Sequence, residues 1–242
     1  MTGAIMAEGR IRTFIGNLDT RMEGGIPDKY VTLICGRAGT MKSTLAYYIL
    51  YNNAKIKKKR GIYVTLEQTR VSLLEHMIKL GMDPRELSES GIVVIDMTRL
   101  RKETKSKTVG EEVNWVDSII QTVDSYKTKY SCDILVLDSL AALYSLATFN
   151  NPRSDIFFFF ERLRDLDMSV FIISEMLDPD KQLFGMFGVE DFLADGIIHL
   201  DLEKSSRRVN LFPSVFKMRK TNHDRSYYPL LFDGAKFEII TD

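Results

Sequence analysis

An apolar run, Tyr30 to Cys35, passes directly into Gly36-Arg37-Ala38-Gly39-Thr40-Met41-Lys42-Ser43, after which apolar residues recur at three- and four-residue intervals as far as Asn52. A glycine-bearing turn between a strand and a helix, with lysine and serine opening the helix, requires a strand buried on both faces and a helix laid back across it. The unpaired N–H groups of the helix start attract anionic oxygens, glycine lets the backbone approach them, and Lys42 adds a point charge. The hydroxyl of Ser43 suits a magnesium ion held with the phosphates. Gly36, Arg37, Ala38, Gly39, Thr40, Met41, Lys42, Ser43 and Thr44 are therefore the candidate nucleotide-binding residues. In the spacing G-x-x-x-x-G-K-[ST] the second glycine is replaced by Met41. Its Cβ and thioether are expected to crowd the phosphates or to force a different backbone dihedral, weakening affinity or turnover.

Around this loop the chain alternates short apolar runs with longer helical segments. The strand-like runs are Tyr30 to Cys35, Gly61 to Leu66, Gly91 to Met97, Asp133 to Asp138 and Ser169 to Ser174. The helical segments are Lys42 to Asn52, Arg70 to Leu80, Glu112 to Lys129 and Asp155 to Leu166. That rhythm predicts an α/β fold of three layers, a mainly parallel twisted sheet flanked by helices. After residue 196 the helices stop. Gly196 to Leu202, Arg208 to Lys217 and Ala235 to Ile240 read as antiparallel strands extending the sheet edge. One domain over 1–242 is expected, with a lead-in segment over 1–29 and a C-terminal β extension over 196–242. No internal repeat interrupts it. Lys55 to Arg60 and Thr98 to Glu112 read as solvated connections.

Thirty-three basic residues balance thirty-three acidic ones, so no overall field holds the chain to nucleic acid or to an anionic membrane. The longest strongly apolar block, Ile156 to Phe160, is far short of the roughly 20 residues a bilayer span needs. The N-terminus, with Glu8, Arg10 and Arg12, shows no apolar targeting core. A soluble, cytoplasmic protein without membrane insertion is expected. Cys35 and Cys132 lie in apolar runs with no metal-ligand spacing and read as reduced core residues.

Three strand ends carry polar groups, and in open parallel sheets ligands gather at the carboxyl ends of strands. Asp138 ends an apolar strand and fits a magnesium anchor acting through a coordinated water; the alternative is a cap on the following helix. Glu67 is placed to orient a water attacking a γ-phosphate; the alternative is a helix-start carboxylate. Ser174, with Glu175, ends a third strand and is a candidate for sensing the γ-phosphate or holding that water.

These residues resemble the RecA-like ATPases, and within them the single-domain, archaeal-type relatives of KaiC and RadA. The resemblance runs through nearly the whole chain. It rests on Leu18-Asp19, Gly24-Gly25-Ile26-Pro27, the loop Gly36 to Ser43, Leu66-Glu67 and Val136-Leu-Asp138-Ser139. Further on it rests on Ser174-Glu175, Val189-Glu190, Ala194-Asp195-Gly196, Lys217-Met218-Arg219, Thr221 and His223. The resemblance implies a RecA-like fold and ATP with Mg2+ held at a boundary between subunits of a homo-oligomer, as in a hexameric ring. Glu67 takes the position of the catalytic glutamate. Lys217 and Arg219 take that of fingers reaching the neighbour's nucleotide, with His223 close by. Without the family, Lys217 to Lys220 is a basic strand end in a hairpin. Met41, Gln68 and Lys220 depart from the pattern, and nucleotide binding tolerates those changes better than fast hydrolysis does.

The expected function is a slow, Mg-dependent ATP hydrolase. One alternative is a nucleotide-sensing assembly module with little turnover, and another is a recombinase-like DNA-binding ATPase. Ser139 to Arg153 and Met176 to Gly188 occupy the positions of inner ring loops. The apolar tip Leu183-Phe-Gly-Met-Phe187 points to packing against neighbours or a protein partner, whereas the acidic charges beside it make nucleic acid a weak inference.

Overall fold

The computed structural model describes residues 9–87, 91–98, 114–176, 183–204 and 209–241. The lead-in forms a small antiparallel pair, β1 (Arg10–Ile11) and β2 (Ile26–Pro27). It is tied down by the buried Asp19, whose carboxylate accepts from the backbone N–H and hydroxyl of Thr13 at 2.8 and 2.7 Å. There follow β3 (Val31–Gly36), α1 (Lys42–Lys57), β4 (Gly61–Thr65), α2 (Arg70–Lys79), β5 (Ile92–Asp96), α3 (Trp115–Tyr130), β6 (Ile134–Asp138), α4 (Leu140–Leu146), α5 (Pro152–Asp165) and β7 (Ser169–Glu175). The chain closes with α6 (Glu190–Leu193), β8 (Gly196–Lys204), β9 (Val209–Met218), β10 (Leu230–Phe232) and β11 (Phe237–Ile239).

Nine strands make one sheet in the order β11-β10-β9-β8-β3-β7-β6-β4-β5. From β8 to β5 all neighbours are parallel, and β9, β10 and β11 add antiparallel pairs at the other edge. The strand side chains alternate between two cores, as the two-residue period of a strand requires. Val31, Leu33, Ile62, Val64, Leu135 and Leu137 face the layer built from α3, α4 and α5. Ile34, Tyr63, Ile134 and Val136 face α1 and α2. Helix α1 is buried nearly all round, because the lead-in and the C-terminal strands cover the face turned from the sheet. Tyr48 packs edge-on against Phe237 there, with ring centroids 5.0 Å apart.

The structure departs from the sequence expectations in three places. The strand at Gly196 pairs antiparallel with β9 as expected, but on its other side it runs parallel to β3, because the connection from β7 carries the chain back to the starting end of the sheet. The stretch from Ser139 to Arg153 is not all loop, since α4 and the first turn of α5 lie in it. The strand β10 at 230–232 has no counterpart in the sequence pattern, and the strand expected from Ala235 spans only Phe237–Ile239. The charged connection lies outside the described residues from 99 to 112, as does 177–182 of the second inner-loop stretch. Cys35 and Cys132 are buried thiols. Among the described residues no helix is long and apolar enough to cross a membrane.

Candidate functional site

At the carboxyl end of β3 the chain turns over Gly36 to Met41 into α1. Gly36 is required by space, since a Cβ there would lie 2.5 Å from the carbonyl oxygen of Leu200. Gly39 is required by conformation: its φ of +84° is left-handed, although a Cβ there would meet no atom within 4 Å. The turn is braced by the Thr40 hydroxyl donating to the Arg37 carbonyl at 2.8 Å. The Arg37 guanidinium pairs with Asp201 at 3.0 Å, pinning the loop to β8. Lys42 closes it from inside, its Nζ donating to the carbonyls of Gly36 and Arg37 at 3.0 and 2.9 Å. Met41 sits at φ 61° and ψ 25°, in the left-handed region, and its half-buried side chain packs against the α1 core. The thioether thus has a place in the protein interior.

Three acidic strand ends converge on Lys42. Thr65 is in register with Asp138, and the Leu66 N–H donates to the Asp138 carbonyl at 2.7 Å, so β4 and β6 end side by side. Burial pushes the Lys42 ammonium below its ordinary pKa, while the charges of Glu175, Asp138 and Glu67 pull it back up. Burial pushes the carboxyl of Asp138 upward, opposed chiefly by hydrogen bonds from Tyr63 and Ser43. Ser139 caps α4, accepting from the Ala142 N–H at 3.3 Å, so the capping role considered for Asp138 belongs to its neighbour. The same hydroxyl donates to the carboxylate of Glu67. Glu67 is not at a helix start either, because α2 begins at Arg70 behind the cap Thr69.

No group of three His, Cys, Asp or Glu among the described residues could ligate a metal by protein atoms alone. Ser43 and Asp138 nevertheless adjoin, one hydroxyl beside one buried carboxylate. That small donor set suits magnesium, which keeps several of its waters and binds through phosphate oxygens.

Ser174 stands at the same rim, in register with Cys35, but its hydroxyl is already engaged; the other candidates lie elsewhere. Ser174 is 2% exposed and donates its hydroxyl to the Phe184 carbonyl at 2.6 Å, which is where its proton is spent. Its neighbour Glu175 is the acid that Lys42 feels from β7. Lys217 donates to the carbonyls of Asp191 and Ala194, each at 2.7 Å, closing the end of α6. Arg219 pairs with Asp195 at 2.8 Å. Met218 is in register with Gly196, and Gly196 with Thr32. Lys217 and Arg219 are thus at the end of the sheet opposite Gly36, about 13 Å away along the strands at four residues' rise and two strands across. They do not reach the loop of their own chain. His223 lies beyond them, its Nδ1 3.2 Å from the Thr221 carbonyl.

Tyr63 joins the site without having been marked by the motifs. Its hydroxyl donates to Asp138 Oδ2 at 2.5 Å from a fully buried position. The signal that could have found it is parity: it projects from β4 to the same face as Val136 and Asp138 on the adjacent strand, and a buried phenol needs a partner.

Residues 11–242 match the family model described as "ATPase: KaiC". A circadian clock oscillator protein KaiC of Picosynechococcus is 30% identical over 98% of this chain and 45% of that relative. The chain therefore spans under half the length of that relative. A UPF0273 protein of Methanocaldococcus jannaschii is 30% identical over 96% of this chain and 95% of its own. The crystal structure of a KaiC-like protein from Pyrococcus horikoshii superposes with a TM-score of 0.80 at 23% identity, covering 97% of this chain and all of that one. At that identity the likeness speaks for the fold.

Proposed function

The chain belongs to the KaiC ATPase family, and from that premise we propose that it binds ATP with magnesium and hydrolyses it slowly as a cytoplasmic homo-oligomer. The observation that carries this reading is the gathering of Asp138, Glu67 and Glu175 around the buried ammonium of Lys42 at the start of α1. A buried lysine among acids, held by two carbonyls of an anion-binding turn, is an arrangement that a triphosphate and its cation complete. Lys42 leaves its two carbonyl partners to meet the β- and γ-phosphate oxygens. Magnesium, when bound, neutralises developing charge on the phosphates, and Ser43 and Asp138 are the residues that would hold it. Glu67, kept in place by Ser139, orients the attacking water and accepts its proton.

Lys217 and Arg219 bear on assembly. Their distance from the loop of their own chain leaves action on a neighbour's nucleotide as the route by which they would contribute, with their bonds to the 191–195 turn exchanged for phosphate contacts. That exchange also favours a second reading, in which ATP fixes subunit contacts and turnover is incidental. Steady-state phosphate release and sedimentation with and without nucleotide separate the two.

Calorimetric titration with ATP and magnesium tests the base of the proposal. We expect binding by the wild-type chain, none by Lys42→Ala, and binding without phosphate release by Glu67→Gln. Absence of binding by the wild-type chain overturns it.

A further inference from the structure

Tyr63 is a polar side chain packed into this site to which the chemistry above assigns no task. It is fully buried on β4, between α1 and the sheet. Its ring lies 5.7 Å from that of Tyr47 on α1, inclined by 54°, so the phenol is held by packing on the helix that starts at Lys42. The hydroxyl donates to Asp138 Oδ2 at 2.5 Å, and the first turn of α1 brings Ser43 beside both groups. Three oxygens from β4, β6 and α1 therefore meet where a metal would be held.

We propose that Tyr63 is a positioning residue for magnesium, its phenol fixing the Asp138 carboxylate in one orientation beside the hydroxyl of Ser43. The inference rests on the ATP-binding reading above and adds a residue to it. A carboxylate that anchors a metal through waters gains from being held, because its free rotation in a buried site would have to be frozen at the moment of binding. Ser43 can offer a lone pair to the metal and its proton to Asp138. The phenol, rigid in the core, supplies the constraint beforehand. Tyr47 provides a comparison within the same core: it is also fully buried, and its hydroxyl has no hydrogen-bond partner.

The test is the magnesium dependence of nucleotide binding by the full chain, read from a fluorescent ATP analogue titrated in chelator and then at rising magnesium. Tyr63→Phe keeps the ring and removes only the hydroxyl. It is expected to bind the analogue in chelator as the wild type does. It should need about tenfold or more magnesium for half-saturation, the scale of a lost hydrogen bond to a charged group. Tyr47→Phe should leave the magnesium requirement unchanged. In an Asp138→Asn background, Tyr63→Phe should add no further loss, because its effect passes through that carboxylate. An unchanged magnesium requirement in Tyr63→Phe overturns the inference, as does a loss that is as large in the Asp138→Asn background. A wild-type chain that binds no analogue at any magnesium concentration instead removes the ATP reading, and the inference with it.

Discussion

At the scale of single residues, the loop shows how a departure from a spacing rule is accommodated. Met41 keeps a left-handed backbone at φ 61°, a region in which a Cβ costs about 1 to 2 kcal/mol. The side chain offsets part of that cost by packing against the core on the α1 side of the sheet. Methionine here thus holds a dihedral that glycine adopts without steric cost. Two substitutions separate the dihedral from the packing. Met41→Gly removes both the strain and the contact and should leave stability within about 1 kcal/mol of wild type. Met41→Val keeps the Cβ strain, adds branching that the left-handed region tolerates poorly, and shortens the packed chain. It should lose at least about 2 kcal/mol. Urea unfolding of the two variants checks the order; equal stabilities would show that the left-handed dihedral carries no measurable strain.

At the scale of elements, the turn from Leu183 to Asp195 is organised by buried carboxyl groups. Glu190 is fully buried and accepts from the Tyr144 hydroxyl at 2.8 Å and from the Phe187 and Val189 N–H groups at 3.0 and 2.9 Å. It ties α4 to the apolar tip, where Tyr144 and Phe187 stack edge-on at 4.8 Å. Phe184 is buried while Met186 remains 55% exposed, so the tip is anchored on one side and open on the other. Glu190→Ala leaves three donors unpaired in a dry environment and should cost about 3 to 5 kcal/mol in urea unfolding. A loss below about 1 kcal/mol would mean that water replaces the carboxyl. Nothing in the sequence marks Glu190 as buried, since an acid two residues after a glycine reads as surface. The same limit applies to α4: seven residues followed by Thr148 to Pro152 look like a loop until Ser139 is seen to cap them. The direction of β8 is hidden for a related reason. Its Gly-Ile-Ile-His-Leu-Asp-Leu alternates as a half-exposed antiparallel strand does, and the connection before it holds a helix of only four residues among those described. Lys42, Ser43, Glu67 and Asp138 are legible because each stands where an apolar run meets a polar turn. Tyr63 is not, because a tyrosine inside such a run reads as core and its partner is on another strand.

At the scale of the whole molecule, the sheet separates the parts that one catalytic event would need. The loop, Glu67 and Asp138 lie at the carboxyl ends of β3, β4 and β6, and Lys217 and Arg219 at the far end of β9. In the proposed assembly a head-to-tail contact between copies would bring those opposite ends together, and such a contact can repeat round a closed ring without using any surface twice. Sites shared between copies make a defined prediction for mixtures. Glu67→Gln chains lack the water-orienting carboxylate but keep Arg219, and Arg219→Gln chains lack the guanidinium but keep Glu67. Each alone should release phosphate at a small fraction of the wild-type rate, given the 10³- to 10⁵-fold value of an arginine finger. Mixed in equal amounts and allowed to exchange, the two should recover up to about a quarter of wild-type activity. That is the share of head-to-tail contacts that pair an intact Glu67 with an intact Arg219. Phosphate release from the mixture, measured beside the two pure variants at the same total concentration, gives the answer. A mixture as inactive as its components would confine Arg219 to its bond with Asp195 inside its own chain.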